Sequence, residues 1–160
     1  MKSTHLLFDW GNTLMVDLPG QAGPMAFWPR IECVPEALET LSLLSTRIPC
    51  HLATNAKDST EKDIELALQR AGLRQFLSQL FCFRKLNVEK PNPAFFSAIQ
   101  EHLQAEPSQL IMVGDSLDKD VLGAIQAGWN AIWLNPNNES APVGIRSISR
   151  LKELCEIFPA

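Results

Sequence analysis

Six residues of this chain have types and spacings that could do chemistry together: Asp9, Thr54, Asn55, Lys90, Asp115 and Asp120. Asp9 closes an apolar run, LLFDW, and a lone carboxylate at the mouth of a strand suits nucleophilic attack or metal binding. Thr54 and Asn55 end the run HLATN, Lys90 stands in EKPNP, and the two further acids lie in VGDSLDKD. Singly, each has an ordinary explanation: Asn and Asp often cap loops and helices, and a lysine before proline is usually solvated. Their order and their positions at strand ends set them apart.

The elements that carry them follow from periodicity. LLFDW (6–10), CHLATN (50–55), LFCF (80–83), IMVGD (111–115) and AIWLN (131–135) read as strands, with a weaker sixth at IRSIS (145–149). These runs are continuously apolar, which suits strands covered on both faces. Helices are expected between them. One follows Pro35; one covers DIELALQRAG behind a capping box of Asp58 and Glu61 and stops at Gly72. One starts at Asn92-Pro93, one ends at Gly128, and RLKELCEIF makes the last. The alternation predicts a three-layer α/β fold of Rossmann-like form, with a mainly parallel sheet of five to six strands. In such sheets ligands sit at the carboxyl ends of the strands, where these polar residues gather.

Composition narrows the function. A chain of 160 residues with 46% hydrophobic content suits a single domain. The net charge of −4 argues against general affinity for nucleic acid or anionic membrane. No apolar run approaches a membrane span, and the opening MKSTHLLFDW lacks a signal-peptide core. Cys33, Cys50, Cys82 and Cys155 form no C-x-x-C pair, so reduced thiols and a cytoplasmic setting are expected.

In motif order the chain resembles the haloacid dehalogenase-like (HAD) superfamily. FDWGNTL is similar to its nucleophile motif, HLATN to its Ser/Thr motif, VEKPNPAFF to its lysine motif and VGDSLDKDVLGAIQAG to its acidic motif. The resemblance implies a hydrolase of phosphate esters or anhydrides in which Asp9 attacks phosphorus and forms an aspartyl-phosphate. Lys90 would offset the repulsion between the carboxylate and the anionic group. Asp9, Asp115 and the backbone carbonyl of Gly11 would hold Mg²⁺, with Asp120 supporting that shell directly or through water. Thr54 and the backbone N–H groups near Asn12 and Asn55 would hold phosphate oxygens. Asp118 competes with Asp120 for its role, although the Asp115–Asp120 spacing is the family's.

The sequence departs from the pattern at Gly11, where most phosphatases of the superfamily carry a second Asp that serves as general acid and base. Three consequences are open: a preference for acyl or aryl phosphates, substitution by another acid such as Asp17, or a weakened domain that binds a phosphorylated ligand or a protein. A dehalogenase would also lack this Asp, but it needs no metal, and Asp115 and Asp120 keep the metal pattern. Neither the stretch between Leu14 and Val34 nor that between Asn55 and Lys90 is long enough for the family's cap domain, so a capless domain over 1–160 is expected. An open site suits a macromolecular substrate, or a small one covered by the flap-like loop 17–33 or by a second subunit seated on it.

Overall fold

Six short apolar runs become six strands of one sheet in the computed structural model, which describes residues 3–160. They are β1 (His5–Phe8), β2 (Cys50–Thr54), β3 (Leu80–Cys82), β4 (Leu110–Gly114), β5 (Asn130–Leu134) and β6 (Arg146–Ile148). Their order is β3-β2-β1-β4-β5-β6, and every pairing is parallel. Successive strand residues point to opposite faces, and here both faces are apolar. Leu6, Phe8, Leu52, Leu80 and Val113 enter one core, while Leu7, Ala53, Phe81 and Met112 enter the other.

Helices cover each face. On the first lie α1 (Ala37–Leu44) and α2 (Glu61–Ala71), burying Leu41, Leu44, Ile64 and Leu68. After β3 comes a single turn, α3 (Phe83–Leu86), that the sequence pattern did not reveal. On the second face α4 (Pro93–Leu103) buries Phe95, Phe96 and Ile99. Burying a side chain of that size contributes roughly 1.5–3 kcal/mol relative to exposure. A wide π-helical turn, Leu117–Leu122, runs into α5 (Gly123–Gln126), and α6 (Glu153–Ile157) returns to the first face.

The helix starts show why the sequence folds this way locally. Asn92 caps α4 as expected, its Oδ1 accepting the Ala94 N–H at 2.9 Å, with Pro93 in the first turn. The box before α2 differs from the expected Asp58–Glu61 pair. Thr60 accepts the Asp63 N–H at 3.1 Å, and the Asp63 carboxylate accepts the Thr60 N–H at 3.0 Å. The N-cap stands two residues later than read, at Thr60 and not Asp58, and the helix begins at Glu61, ahead of the DIELALQRAG stretch. An Asp does the work usually given to Glu or Gln.

The strand order reverses between β1 and β4, so their connections leave in opposite directions and open a crevice at their carboxyl ends. No inserted domain stands among the described residues between β1 and α1 or between β2 and β3. The same residues include no helix long and apolar enough to cross a membrane. All four cysteines are unpaired.

Candidate active site

Asp9 and Asp115 face one another because β1 and β4 are in register. Phe8 pairs with Val113, and the Asp9 N–H donates to the Val113 carbonyl at 2.9 Å. Each acid is therefore delivered just past a strand end, at the crevice. Buried Thr13 ties them together: its hydroxyl stands 3.3 Å from Asp9 Oδ2 and 3.3 Å from Asp115 Oδ1, and it accepts the Asp115 N–H at 3.2 Å. With one proton, that hydroxyl donates to one carboxylate at a time.

Lys90 reaches the same place from the loop before α4. Its side chain is 1% exposed, and Nζ donates to Asp9 Oδ1 at 2.8 Å, Asp120 Oδ1 at 2.7 Å and the Ala53 carbonyl at 2.8 Å. All three ammonium protons are thus engaged. The Asn55 side chain clamps the Lys90 backbone, accepting its N–H at 2.8 Å and donating to its carbonyl at 2.9 Å. Asp120 completes the arrangement: its second oxygen accepts the Ser116 N–H at 3.1 Å. It lies so close over Gly114 that a Cβ there would meet Asp120 Oδ2 at 2.1 Å. Only glycine fits that position.

Three carboxylates around one ammonium leave the site short of positive charge. Burial pushes Asp115 up to about 7, helped by the neighbouring charges of Asp9 and Asp120. Burial also lifts Asp120 to about 6, with Lys90 opposing and Asp9 adding to the rise. Burial alone would lower Lys90, but the Asp9 and Asp120 carboxylates outweigh it and hold the ammonium above its ordinary value. Ligand atoms of Asp9, Asp115 and Asp120 lie within 4.8 Å of one another, a hard-oxygen cluster that fits a small divalent cation. Both oxygens of Asp120 and both of Asp9 already face hydrogen-bond donors, so a cation at Asp9 would share its oxygens with Lys90 and Thr13. The Gly11 carbonyl accepts no backbone hydrogen bond among the described residues.

A cavity of about 430 Å³ opens over these groups. Thr54 lines it, its oxygen accepting the Ala56 N–H at 3.2 Å and its own proton left to donate. Trp10, Gly11 and Asn55 also line the cavity, and their N–H groups make no backbone hydrogen bond among the described residues. The Asn12 N–H, by contrast, is held by the Met15 carbonyl at 2.6 Å. Asp17 lines the cavity and Asp118 does not. The loop 17–33 supplies an apolar wall through Met25 and Trp28, both buried, while Phe27 is 66% exposed. Arg70 of α2 pins that wall, donating to the carbonyls of Ala26 at 2.8 Å and Trp28 at 2.9 Å.

Residues 87–145, which carry Lys90, Asp115 and Asp120, match a family model described as HAD-hydrolase-like. The chain is 30% identical over 129 residues to pyrimidine 5'-nucleotidase YjjG of Escherichia coli, covering 78% of this chain and 56% of that one. It superimposes on the magnesium-bound HAD-hydrolase YfnB of Bacillus subtilis with a TM-score of 0.81 at 17% identity, covering all of both chains. A 2-haloacid dehalogenase from Pseudomonas syringae aligns at TM-score 0.69 and 27% identity, over 81% of this chain and 54% of that one. The chain belongs to the haloacid dehalogenase-like superfamily. It spans little more than half the length of the curated nucleotidase.

Several parts of this HAD site carry no sequence signal of their own. Trp133, one strand away on β5, donates its indole N–H to the Asp115 carbonyl at 3.0 Å and so braces the acid from behind. The side-chain clamp of Asn55 and the reach of Arg70 are likewise contacts between distant segments. The three histidines lie outside the cavity; His5 Nδ1 and His51 Nε2 form a contact of 3.0 Å low on the sheet.

Proposed function

We propose that this HAD domain is a Mg²⁺-dependent hydrolase of phosphate esters or anhydrides that works through an aspartyl-phosphate on Asp9. The observation that carries this reading is the Lys90–Asp9 hydrogen bond of 2.8 Å, buried beside two further carboxylates. Lys90 holds the attacking carboxylate in one orientation and keeps a fixed positive charge beside it. A structural ion pair would be complete with Asp120 alone. The additional acids, the free N–H groups and the open cavity suit a dianionic phosphoryl group.

Asp9 attacks phosphorus with the oxygen that Thr13 faces, while Lys90 holds the other. The N–H groups of Trp10, Gly11 and Asn55 and the Thr54 hydroxyl receive the phosphoryl oxygens. Asp9, Asp115 and the Gly11 carbonyl would hold Mg²⁺, with Asp120 acting through Lys90 and Ser116. When bound, the cation offsets the charge shared between carboxylate and phosphoryl group. That acidic cluster is also why a metal-free dehalogenase is the poorer fit. The substrate is a small phosphorylated molecule bounded by Met25 and Trp28, or a phosphorylated residue on a larger partner, and the setting is cytoplasmic.

Gly11 favours a second reading, a domain that binds a phosphorylated ligand or a protein without useful turnover. Phosphate release from sugar, nucleotide, acyl and aryl phosphates, with and without Mg²⁺ and with Asp9→Asn as blank, separates the two. Metal-dependent release that vanishes in the variant supports the hydrolase. No release from any class, in protein that binds beryllium fluoride with Mg²⁺, supports the binding domain.

A further inference from the structure

The carboxylate that Gly11 lacks has a neighbour standing in its place. A Cβ built on Gly11 would meet nothing closer than the Asp17 Cβ at 3.8 Å, an ordinary van der Waals contact. The Asp17 side chain therefore starts beside the point from which an acid at residue 11 would start, and it lines the same cavity.

The loop that brings it there is fixed at several points. Met15 bridges to Gly11 and to Cys33, the Val16 N–H donates to the Glu32 carbonyl at 2.8 Å, and the Asp17 N–H donates to Asn12 Oδ1 at 3.0 Å. Asn12 itself adopts a left-handed φ of 58°, which turns the chain back toward the crevice. The Asp17 carboxyl group makes no hydrogen bond or ion pair among the described residues, so both oxygens are free for a ligand. The other acids of the cavity are placed differently: Asp115 and Asp120 are tied to Thr13, Lys90 and Ser116, and Asp58 stands on the loop after β2.

We propose that Asp17 is the general acid and base of this site, replacing in space a side chain that the nucleophile loop does not carry. This rests on the hydrolase reading above. As an Asp9 oxygen bonds to phosphorus and the bond from phosphorus to the leaving oxygen breaks, the Asp17 carboxylic acid gives its proton to that oxygen and a neutral alcohol departs. The Asp17 carboxylate then takes a proton from water as the water oxygen bonds to phosphorus. The Asp9–phosphorus bond breaks, Asp9 returns as a carboxylate, and inorganic phosphate leaves.

The test compares an alkyl phosphate, whose leaving group needs a proton, with p-nitrophenyl phosphate, whose leaving group hardly does, both with Mg²⁺. Asp17→Asn should slow the alkyl ester about 10²–10⁴-fold and lower the alkyl-to-aryl rate ratio by at least about tenfold. It should also remove the limb of the alkyl pH profile that reports the acid. Adding Gly11→Asp to Asp17→Asn should raise the ratio again, because a Cβ at residue 11 meets nothing closer than 3.8 Å and the residue lines the cavity. The comparison is made in kcat/KM, which reports leaving-group departure and not the hydrolysis step common to both esters. An equal fall of kcat/KM on both, or no fall on either, would overturn the assignment, as would a collapse of the ratio in Asp58→Asn instead. Turnover of aryl but not alkyl phosphate by the unmodified protein would show that no acid serves the leaving group. Absence of turnover on both would remove the hydrolase reading, and the role of Asp17 with it.

Discussion

Lys90 and Asp120 form a buried ion pair of 2.7 Å in which the lysine side chain is 1% exposed and the aspartate 2%. The pair lies beneath the candidate nucleophile and not at its surface. Removing either partner leaves a charge in the interior without its counterpart, which typically costs about 3–5 kcal/mol. Lys90→Met should therefore unfold at markedly lower urea as well as losing phosphate release. Lys90→Met with Asp120→Asn should recover part of that stability and none of the activity. A double variant no more stable than Lys90→Met would show that the two residues do not act as a pair.

Gly114 and Gly11 should respond oppositely to alanine. At Gly114 the new methyl group runs into Asp120 at 2.1 Å. Overpacking of that kind costs about 1–3 kcal/mol, and it should displace the partner of Lys90. At Gly11 the nearest atom is 3.8 Å away, and Gly11→Ala should stay within about 0.5 kcal/mol of the parent. Thermal unfolding of the two variants side by side checks this. Equal losses would mean that the approach of Asp120 is not the constraint.

Metal affinity should depend on pH through Asp115. Its carboxyl group is lifted to about 7 by burial and by its acidic neighbours. A cation needs it ionised, so Mg²⁺ binding should weaken as pH falls below 7, with protons released on binding near neutrality. In the metal-free protein the contribution of Asp115 to stability should fall as pH rises from about 4 to 7, since a raised acid favours the fold only while protonated. The difference between the parent and Asp115→Asn isolates it. Calorimetric titration with Mg²⁺ in two buffers of different ionisation enthalpy measures the proton release. A pH-independent affinity between 6 and 8 would contradict this placement of Asp115.

His51 gives a pH effect of the opposite sign. Burial, with smaller contributions from His5 and His102, lowers it to about 4. A lowered histidine favours the fold while neutral, so its contribution is present above about 6.5 and is lost as pH falls toward 4. The full difference amounts to roughly 3 kcal/mol. The stability of the parent minus that of His51→Leu, followed by urea unfolding from pH 7 to 4, isolates this slope from that of Asp115. A flat difference curve would place the His51 ring in water.

Arg70 should govern the wall of the cavity. Losing its two hydrogen bonds to Ala26 and Trp28 removes about 1.5–3 kcal/mol each at most. Arg70→Ala should therefore raise the amide exchange rates of Phe27 and Trp28, whose N–H groups bond within the same turn. For a small substrate KM should rise with little change in kcat. Unchanged exchange would mean that Met25 and Trp28 hold themselves by packing alone.

Sequence reading reached the strands because both faces of the sheet are apolar, so each strand is an unbroken run such as LLF or LIMV. It reached Asp9, Thr54, Lys90 and Asp115 because all four stand just past strand ends or on the loop beside them. It misplaced the start of α2, because Asp58-Glu61 and Thr60-Asp63 are overlapping boxes of like chemistry, and only backbone conformation chooses between them. It did not foresee that both oxygens of Asp120 face Lys90 and Ser116, or that Asn55 works through its side chain. The Lys90 contacts of Asp120 and Asn55 depend on where segments 30 or more positions apart come to rest, and the Ser116 contact on the local turn that follows β4.

The pairing of β1 with β4 has a consequence for the order of events at the ribosome. His5 pairs with Leu110, while the other neighbour of β1, at Cys50, is far nearer in the chain. During synthesis β1 and β2 can meet early, but the floor beneath Asp9 is missing until Asp115 and Asp120 have emerged. A nascent chain therefore carries Asp9 for most of its elongation without the acids that stand beside it in the finished sheet. Acquisition of tight metal binding would then be a clock for completion of the sheet, readable on arrested chains of increasing length.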